Sequence, residues 1–275
     1  MVLLVAAVSG QAEKFVSLSW PACYNSNCCR SDLEFQASIP SCIMHIGIEE
    51  VIPDNFSGIV PLFPLPNLVM FPGVVQPLQI FEPRYRAMMN WTMKHEQLIA
   101  MTVLKRSLDP GQESQFPEIH PVVCVGKVIA HTLLDDGRYK ILLMGGRRAN
   151  ITRELSAPQP FRSASVQLLK DEFRSADAAN REANFKTLAK AFLRHLAGSQ
   201  NDCREFEELV RAKLSPGLLT DLIASTLDID LDIKYELLSI TNVDRRAEIL
   251  TRELFQIQQR YNCPAGAFPP KFSNN

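Results

Sequence analysis

No stretch of this 275-residue sequence approaches the ~20 consecutive apolar residues that a membrane-crossing helix needs, so a soluble, cytoplasmic protein is expected. There is no excess of one charge either. The 29 Lys and Arg against 30 Asp and Glu leave a formal net charge of −1, whereas a chain that grips phosphates carries a basic excess or patch. Paired cysteines are missing too: seven is odd, with no regular spacing, which argues against a secreted disulfide framework. The apolar start, Val2 to Val8, lacks the positive flank of a secretory signal and is short for its apolar core.

Catalytic signatures are absent as well. A phosphate-cradling loop needs G-x-x-x-x-G-K-[ST]; at Gly126-Lys127, Pro121 stands at the first glycine and Val128 at the Ser/Thr position. His95-Glu96 could open a zinc-protease helix, but Ile99 occupies the second histidine's place. No G-x-S-x-G turn occurs. Cys124 sits in an apolar run and reads as a small core residue. His45, His95, His120, His131 and His195 share no metal-ligand spacing, and the set Cys23, Cys28, Cys29, Cys42 and His45 departs from paired C-x₂₋₄-C zinc ligands. The expectation is no catalytic residue, no metal and no cofactor: a protein that is not an enzyme.

What is present divides at proline. Fourteen of the 18 prolines lie at or before Pro160. Proline is excluded from helix interiors and tolerated at turns and sheet edges, so strands are expected first and helices after. Pro83, following Glu82, suits the first position of a helix, with Tyr85, Met88, Met89 and Thr92 on its buried face. Strands are expected at Gln97–Leu104, Val122–Leu134 and Tyr139–Met144. Asp135-Asp-Gly-Arg138 reads as a hairpin turn, Gly145-Gly146 as a second bend, and Arg147-Arg148 beyond it as an anion-binding corner or a solvated turn. Ala164, Val166 and Leu168 alternate with polar residues, as in a half-buried strand.

After residue 170 the period becomes helical. Phe185, Leu188, Phe192 and Leu196 form one stripe; Phe206, Leu209 and Val210 form another, with Asp202 and Glu205 as a capping box. Ser215-Pro216 caps a helix bearing Leu218, Leu222 and Ile223. Tyr235, Leu237 and Leu238 suggest a short helix. Val243, Ala247, Leu250, Leu254, Ile257 and Tyr261 define a long amphipathic one, with Thr241 and Asp244 as a capping pair.

The run from Pro61 through Phe63, Pro64, Pro66, Phe71 and Pro72 to Gly73, then Pro77-Leu-Gln-Ile-Phe-Glu-Pro-Arg-Tyr85, resembles the opening of the N-terminal domain of Lon-type ATP-dependent proteases. The resemblance continues at Cys124-Val-Gly126, Asp136-Gly-Arg-Tyr139, Ile141-Leu-Leu143, Gly145 and Arg147-Arg148. It implies an α+β fold, an N-terminal PUA-like β-barrel followed by a C-terminal α-helical bundle. The divisions expected are a disordered or mis-called extension at 1–43, the barrel at 58–170, the bundle at 171–262 and a tail at 263–275. The ATPase and protease modules of full-length relatives are not in this sequence, so a stand-alone substrate-binding module is expected. Ala149 stands where the family commonly has an aromatic residue, and the 105–120 loop is individual.

The resemblance implies unfolded or partner polypeptides as ligands, buried in an apolar groove between barrel and bundle. Phe63, Phe71, Phe81, Glu82, Arg84, Tyr85, Arg147 and Arg148 are its candidate peptide-binding residues, each with a structural reading as well. The alternative is a PUA-like RNA-binding protein; Arg138, Lys140, Arg147 and Arg148 are the barrel's only local basic cluster. Self-association through the last helix is compatible with either.

Overall fold

Strand-like alternation and early prolines dictate a β half. The computed structural model describes residues 2–7, 14–19, 51–105, 117–156, 158–198 and 214–262. Its strands are β1 (Val2–Ala7), β2 (Lys14–Ser19), β3 (Ile59–Leu65), β4 (Val74–Ile80), β5 (Leu98–Val103), β6 (Val122–Leu133), β7 (Tyr139–Leu155) and β8 (Ser163–Leu168). Five of them close a ring. β7 pairs with β6, β6 with β5, β5 runs parallel to β3, β3 pairs with β8, and β8 returns to the second half of β7. β4 pairs with the first half of β7, from Val75↔Met144 to Ile80↔Tyr139. Closure leaves few free strand edges.

β7 reaches both neighbours because it does not bend at Gly145-Gly146. The expected bend is instead a β-bulge inside a 17-residue strand. Val125 pairs with Arg147 and Gly126 with Gly145, so Gly146 is the extra residue. Glycine is required here by crowding: a Cβ on Gly145 would stand 2.2 Å from the Phe71 carbonyl oxygen, and one on Gly146 would stand 2.7 Å from a Val51 methyl.

Through its middle the barrel wall is buried on both faces, as all six residues of β5 are. Val60, Leu62, Leu98, Ala100, Val123, Val125, Leu142, Met144 and Ala149 fill the barrel interior. Their neighbours Phe63, Ile99, Met101, Cys124, Ile141 and Leu143 face outward under the helices. Period-two burial on two apolar faces explains the continuous apolar runs. The first helix, α1 (Pro83–Thr92), has Pro83 in its first turn and buries Tyr85, Met88, Met89 and Thr92, as expected.

Among the described residues four α-helices follow: α2 (Arg181–Gly198), α3 (Pro216–Thr226), α4 (Leu231–Ser239) and α5 (Val243–Asn262). Ser215 caps α3, accepting from the Leu218 N–H at 3.3 Å. At α5 the cap is Asn242 rather than Thr241: its side-chain oxygen accepts from the Arg245 N–H at 2.9 Å. Asp244 instead binds Arg181 and the Arg174 N–H. Leu188, Phe192, Leu222 and Leu250 are fully buried, each contributing about 1.5–3 kcal/mol. They join the barrel's outward residues in one apolar cluster, so the described residues of barrel and bundle share a continuous core.

Within 1–43 the described residues are those of β1 and β2, which pair with each other, and β1 pairs with β4 at Leu4↔Val75 and Val5↔Val74. A short apolar run rich in valine suits a strand without showing a period. The cysteines of the zinc alternative with His45, the helix expected around Phe206, and the 263–275 tail lie outside the described residues.

Candidate functional site

Two polar constellations stand out, one closed and one open. The closed one lies at the barrel–bundle seam. Arg148 on β7 is 3% exposed; its guanidinium makes a two-pronged contact with Asp221 on α3, and its Nε donates to the Leu238 carbonyl on α4 at 2.9 Å. Arg246 on α5, 1% exposed, donates to Asp221 at 3.0 Å and to Asp171 at 2.8 Å. Burial pulls both guanidinium pKa values down. At Arg148 the charge and hydrogen bonds of Asp221, with Asp171 behind, more than offset it; at Arg246 burial and the neighbouring Arg148 charge prevail. Both stay protonated, since guanidinium is not deprotonated in proteins. Arg148 is therefore a joint between barrel and three parts of the bundle, not an exposed anion-binding corner. Arg147 donates to the Leu169 carbonyl at 3.3 Å.

The open constellation arises where β3 parts from its neighbour. Up to Leu62, whose N–H donates to the Arg162 carbonyl at 2.8 Å, the β8 side of β3 is occupied. Beyond it a groove of about 820 Å³ opens. The end of β3, the start of α1, the Leu104–Lys105 and Pro117–Ile119 stems, and residues on either side of Pro160 form its walls. Pro64, Leu65, Pro66, Leu104, Ile119 and Phe161 supply apolar surface. The rim carries six ionised side chains in three pairs: Arg84–Glu82 at 2.8 Å, Lys105–Glu118 at 3.0 Å and Arg162–Glu154 at 2.6 Å. Such partly exposed pairs add only about 0–1 kcal/mol each, but they leave the rim without net charge. Oε1 of Gln159 is buried without a hydrogen-bond partner.

Three of the eight sequence candidates meet in this groove: Glu82, Arg84 and Tyr85. Proline at the first turn of α1 fixes the chain's entry and sets Glu82 and Arg84 side by side. The Arg84 guanidinium lies 4.6 Å from the Tyr85 ring centroid. Burial pushes the Tyr85 phenol above its usual range, so it stays neutral and its ring packs edge-on to Phe63 at 4.6 Å. Phe63 and Phe71 are buried in the core; Phe81 is 63% exposed, outside the groove lining. Lys105, Glu118, Glu154, Gln159, Phe161 and Arg162 were not singled out from sequence. The sequence signal there is the individual 105–120 loop, whose two stems carry Lys105 and Glu118.

The basic cluster considered for RNA is not gathered. Arg138 and Lys140 lie at one end of β7 and Arg147-Arg148 further along, on the order of 25 Å away at ~3.3 Å per residue. Arg138 pairs with Asp136 and Arg148 is buried. Among the described residues no group of three or more His, Cys, Asp or Glu could hold a metal ion, and no helix is long and apolar enough to cross a membrane. Burial pushes the Cys124 thiol up to about 12, far from a reactive thiolate.

Similarity to known proteins agrees with this geometry. The chain is 24% identical over 198 residues to a Lon protease of Cytophaga hutchinsonii, covering 72% of this chain and 24% of that protein. It is 25% identical over 202 residues to a Lon protease of Anaeromyxobacter dehalogenans, covering 72% and 23%. The chain thus spans about a quarter of the curated relatives it matches. Among solved structures, the N-terminal domain of Mycobacterium avium complex Lon protease superposes with a TM-score of 0.56 at 17% identity, covering 72% of this chain and 98% of that one. A Lon N-terminal domain protein from Xanthomonas campestris gives 0.50 at 18% identity, covering 70% and 97%. These two establish a shared fold. The family model for the ATP-dependent protease La (LON) substrate-binding domain matches residues 59–256, well over half of the sequence, and this chain belongs to that family.

Proposed function

We propose that this domain holds segments of other polypeptides, unfolded or partner chains, in the groove beside β3 and does no chemistry itself. The groove carries the reading. It is a cleft of about 820 Å³, with apolar surface between three ion pairs, in a domain whose family is described as substrate-binding, and its size falls in the range of about 300–1,000 Å³ common for ligand clefts. A groove on the barrel is favoured over the expected one between barrel and bundle, since the described residues at the seam pack in a shared core and in the Arg148–Asp221 joint. A guest's apolar side chains would be desolvated against Pro64, Leu65, Leu104, Ile119 and Phe161 at about 25 cal/mol per Å². Burial of this kind is nondirectional and gives low sequence specificity. An adaptor or holdase needs that property.

The test is suppression of aggregation of a chemically unfolded protein by the full chain, with photo-crosslinking from the groove. Ser156 lines the groove and is exposed, so Ser156→Trp fills the cleft without touching the core. Near-stoichiometric suppression that this substitution weakens about tenfold, with crosslinks at the groove, supports the reading. Equal suppression by Ser156→Trp, with crosslinks elsewhere, sinks it.

A further inference from the structure

We infer that Pro64 and Pro66 decide how a guest is held: an extended, uncharged, apolar segment is gripped by its side chains and prevented from adding a β-strand to β3. This rests on the groove being the guest site. Successive residues of a strand present their N–H and C=O groups to alternate edges. The Leu65 carbonyl accepts from the Leu104 N–H at 3.1 Å, so Leu65 faces β5. The Leu62 N–H donates the other way, to Arg162. Pro64, two residues on from Leu62, therefore turns its carbonyl toward the groove and has no N–H to offer. Pro66, directly beyond the strand, has none either. Both residues line the groove.

Strand addition requires alternating donors and acceptors along the host edge. Here an approaching guest could donate an N–H to the Pro64 carbonyl, but the guest carbonyl beside it meets no backbone donor from β3. A carbonyl desolvated without a partner weakens binding by about tenfold or more. The buried Oε1 of Gln159, which has no partner, is a further acceptor beside this edge. The rim's cations are engaged with Glu82, Glu118 and Glu154. That neutral rim favours an uncharged guest, and the donor-free edge denies it a fixed register. Held by side chains alone, a guest can shift along the groove and leave quickly, whereas a paired strand would stay.

The test measures binding of a short fluorescent peptide of Leu, Phe and Ser to the full chain, beside two analogues N-methylated at alternate residues of either parity. The parent protein is expected to bind all three within a few fold. Pro64→Val/Pro66→Val, which restores two N–H donors, is expected to bind the unmethylated peptide about tenfold tighter, dissociate more slowly, and reject one methylated analogue. A loss of about tenfold on methylation with the parent protein overturns the inference and needs no folded variant. So does a folded valine variant with no gain in affinity. Ser156→Trp separates the two levels: undiminished peptide binding there refutes the groove itself, whereas lost binding leaves it standing whichever way the methylated peptides fall.

Discussion

Removing Asp221 tests the barrel–bundle joint most sharply. It is the carboxylate shared by Arg148 and Arg246, two guanidinium groups that are both almost fully buried. Asp221→Ala leaves Arg148 with the Leu238 carbonyl and a 3.7 Å approach to Asp171, and leaves Arg246 with Asp171 alone. Two positive charges then share one half-exposed carboxylate. Breaking a buried pair from one side costs about 3–5 kcal/mol, a large part of a typical total stability of about 5–15 kcal/mol. For a domain of this size each kcal/mol lowers Tm by about 2–4 °C, so a fall of about 10 °C is expected. Arg148→Met should cost less, because Asp221 keeps Arg246 and the removed group takes its charge with it. Urea unfolding followed by circular dichroism reads both variants, and the double variant gives their coupling. A loss under about 1 kcal/mol for Asp221→Ala, or a larger loss for Arg148→Met, would refute a desolvated network at the seam.

Gly145→Ala should destabilise by about 3 kcal/mol, because its Cβ would meet the rigid Phe71 carbonyl at 2.2 Å; a thermal melt within about 2 °C of the parent would contradict the crowding. Cys124, buried with its thiol pushed up to about 12, should resist iodoacetamide until the protein unfolds; peptide mapping by mass spectrometry shows whether it labels early. Asp244 is held below the usual carboxylate range by the Arg181 hydrogen bond, against burial, with the Arg174 N–H assisting. Its contribution is fully present above the unfolded value of about 3.9 and is lost as pH falls through the lower folded value. Arg181→Ala should therefore weaken the fold at neutral pH and flatten the acid limb, as denaturant midpoints across that range will show; an unchanged acid limb counts against the pair.

Local signals carried the element types and failed where a distant partner decided. Proline counts separated strands from helices because the missing N–H acts within one residue's reach. Pro83 and Pro216 mark helix starts for the same reason, and Ser215 does so through a side chain that reaches only three residues on. Gly145-Gly146 misled because two glycines favour a turn locally, whereas here a carbonyl from 74 residues earlier, at Phe71, demands the missing Cβ. Arg148 looked like a surface cation because its partner, Asp221, lies 73 residues on, in another element. In the groove, Glu82, Arg84 and Tyr85 were visible through a motif around one helix start. Gln159 and Arg162 were not, since only the parting of β3 from the β8 side brings them opposite Pro64.

That parting connects folding with binding. A ring of strands protects its edges by pairing them, and any cleft admitting an extended guest must interrupt the pairing somewhere. An interrupted edge with ordinary residues would recruit strands indiscriminately, including those of other copies of the chain. Proline at 64 and 66 removes the donors at the interruption without removing the apolar surface, and its fixed φ keeps the segment extended with little entropy left to lose. The prolines that stiffen this run in the unfolded chain are thus the residues that leave the folded barrel both open and unreactive at one edge. If that is their role, the valine variant should gain peptide affinity and self-association together, since both draw on the same restored N–H groups. A gain in one without the other would separate guest selection from edge protection.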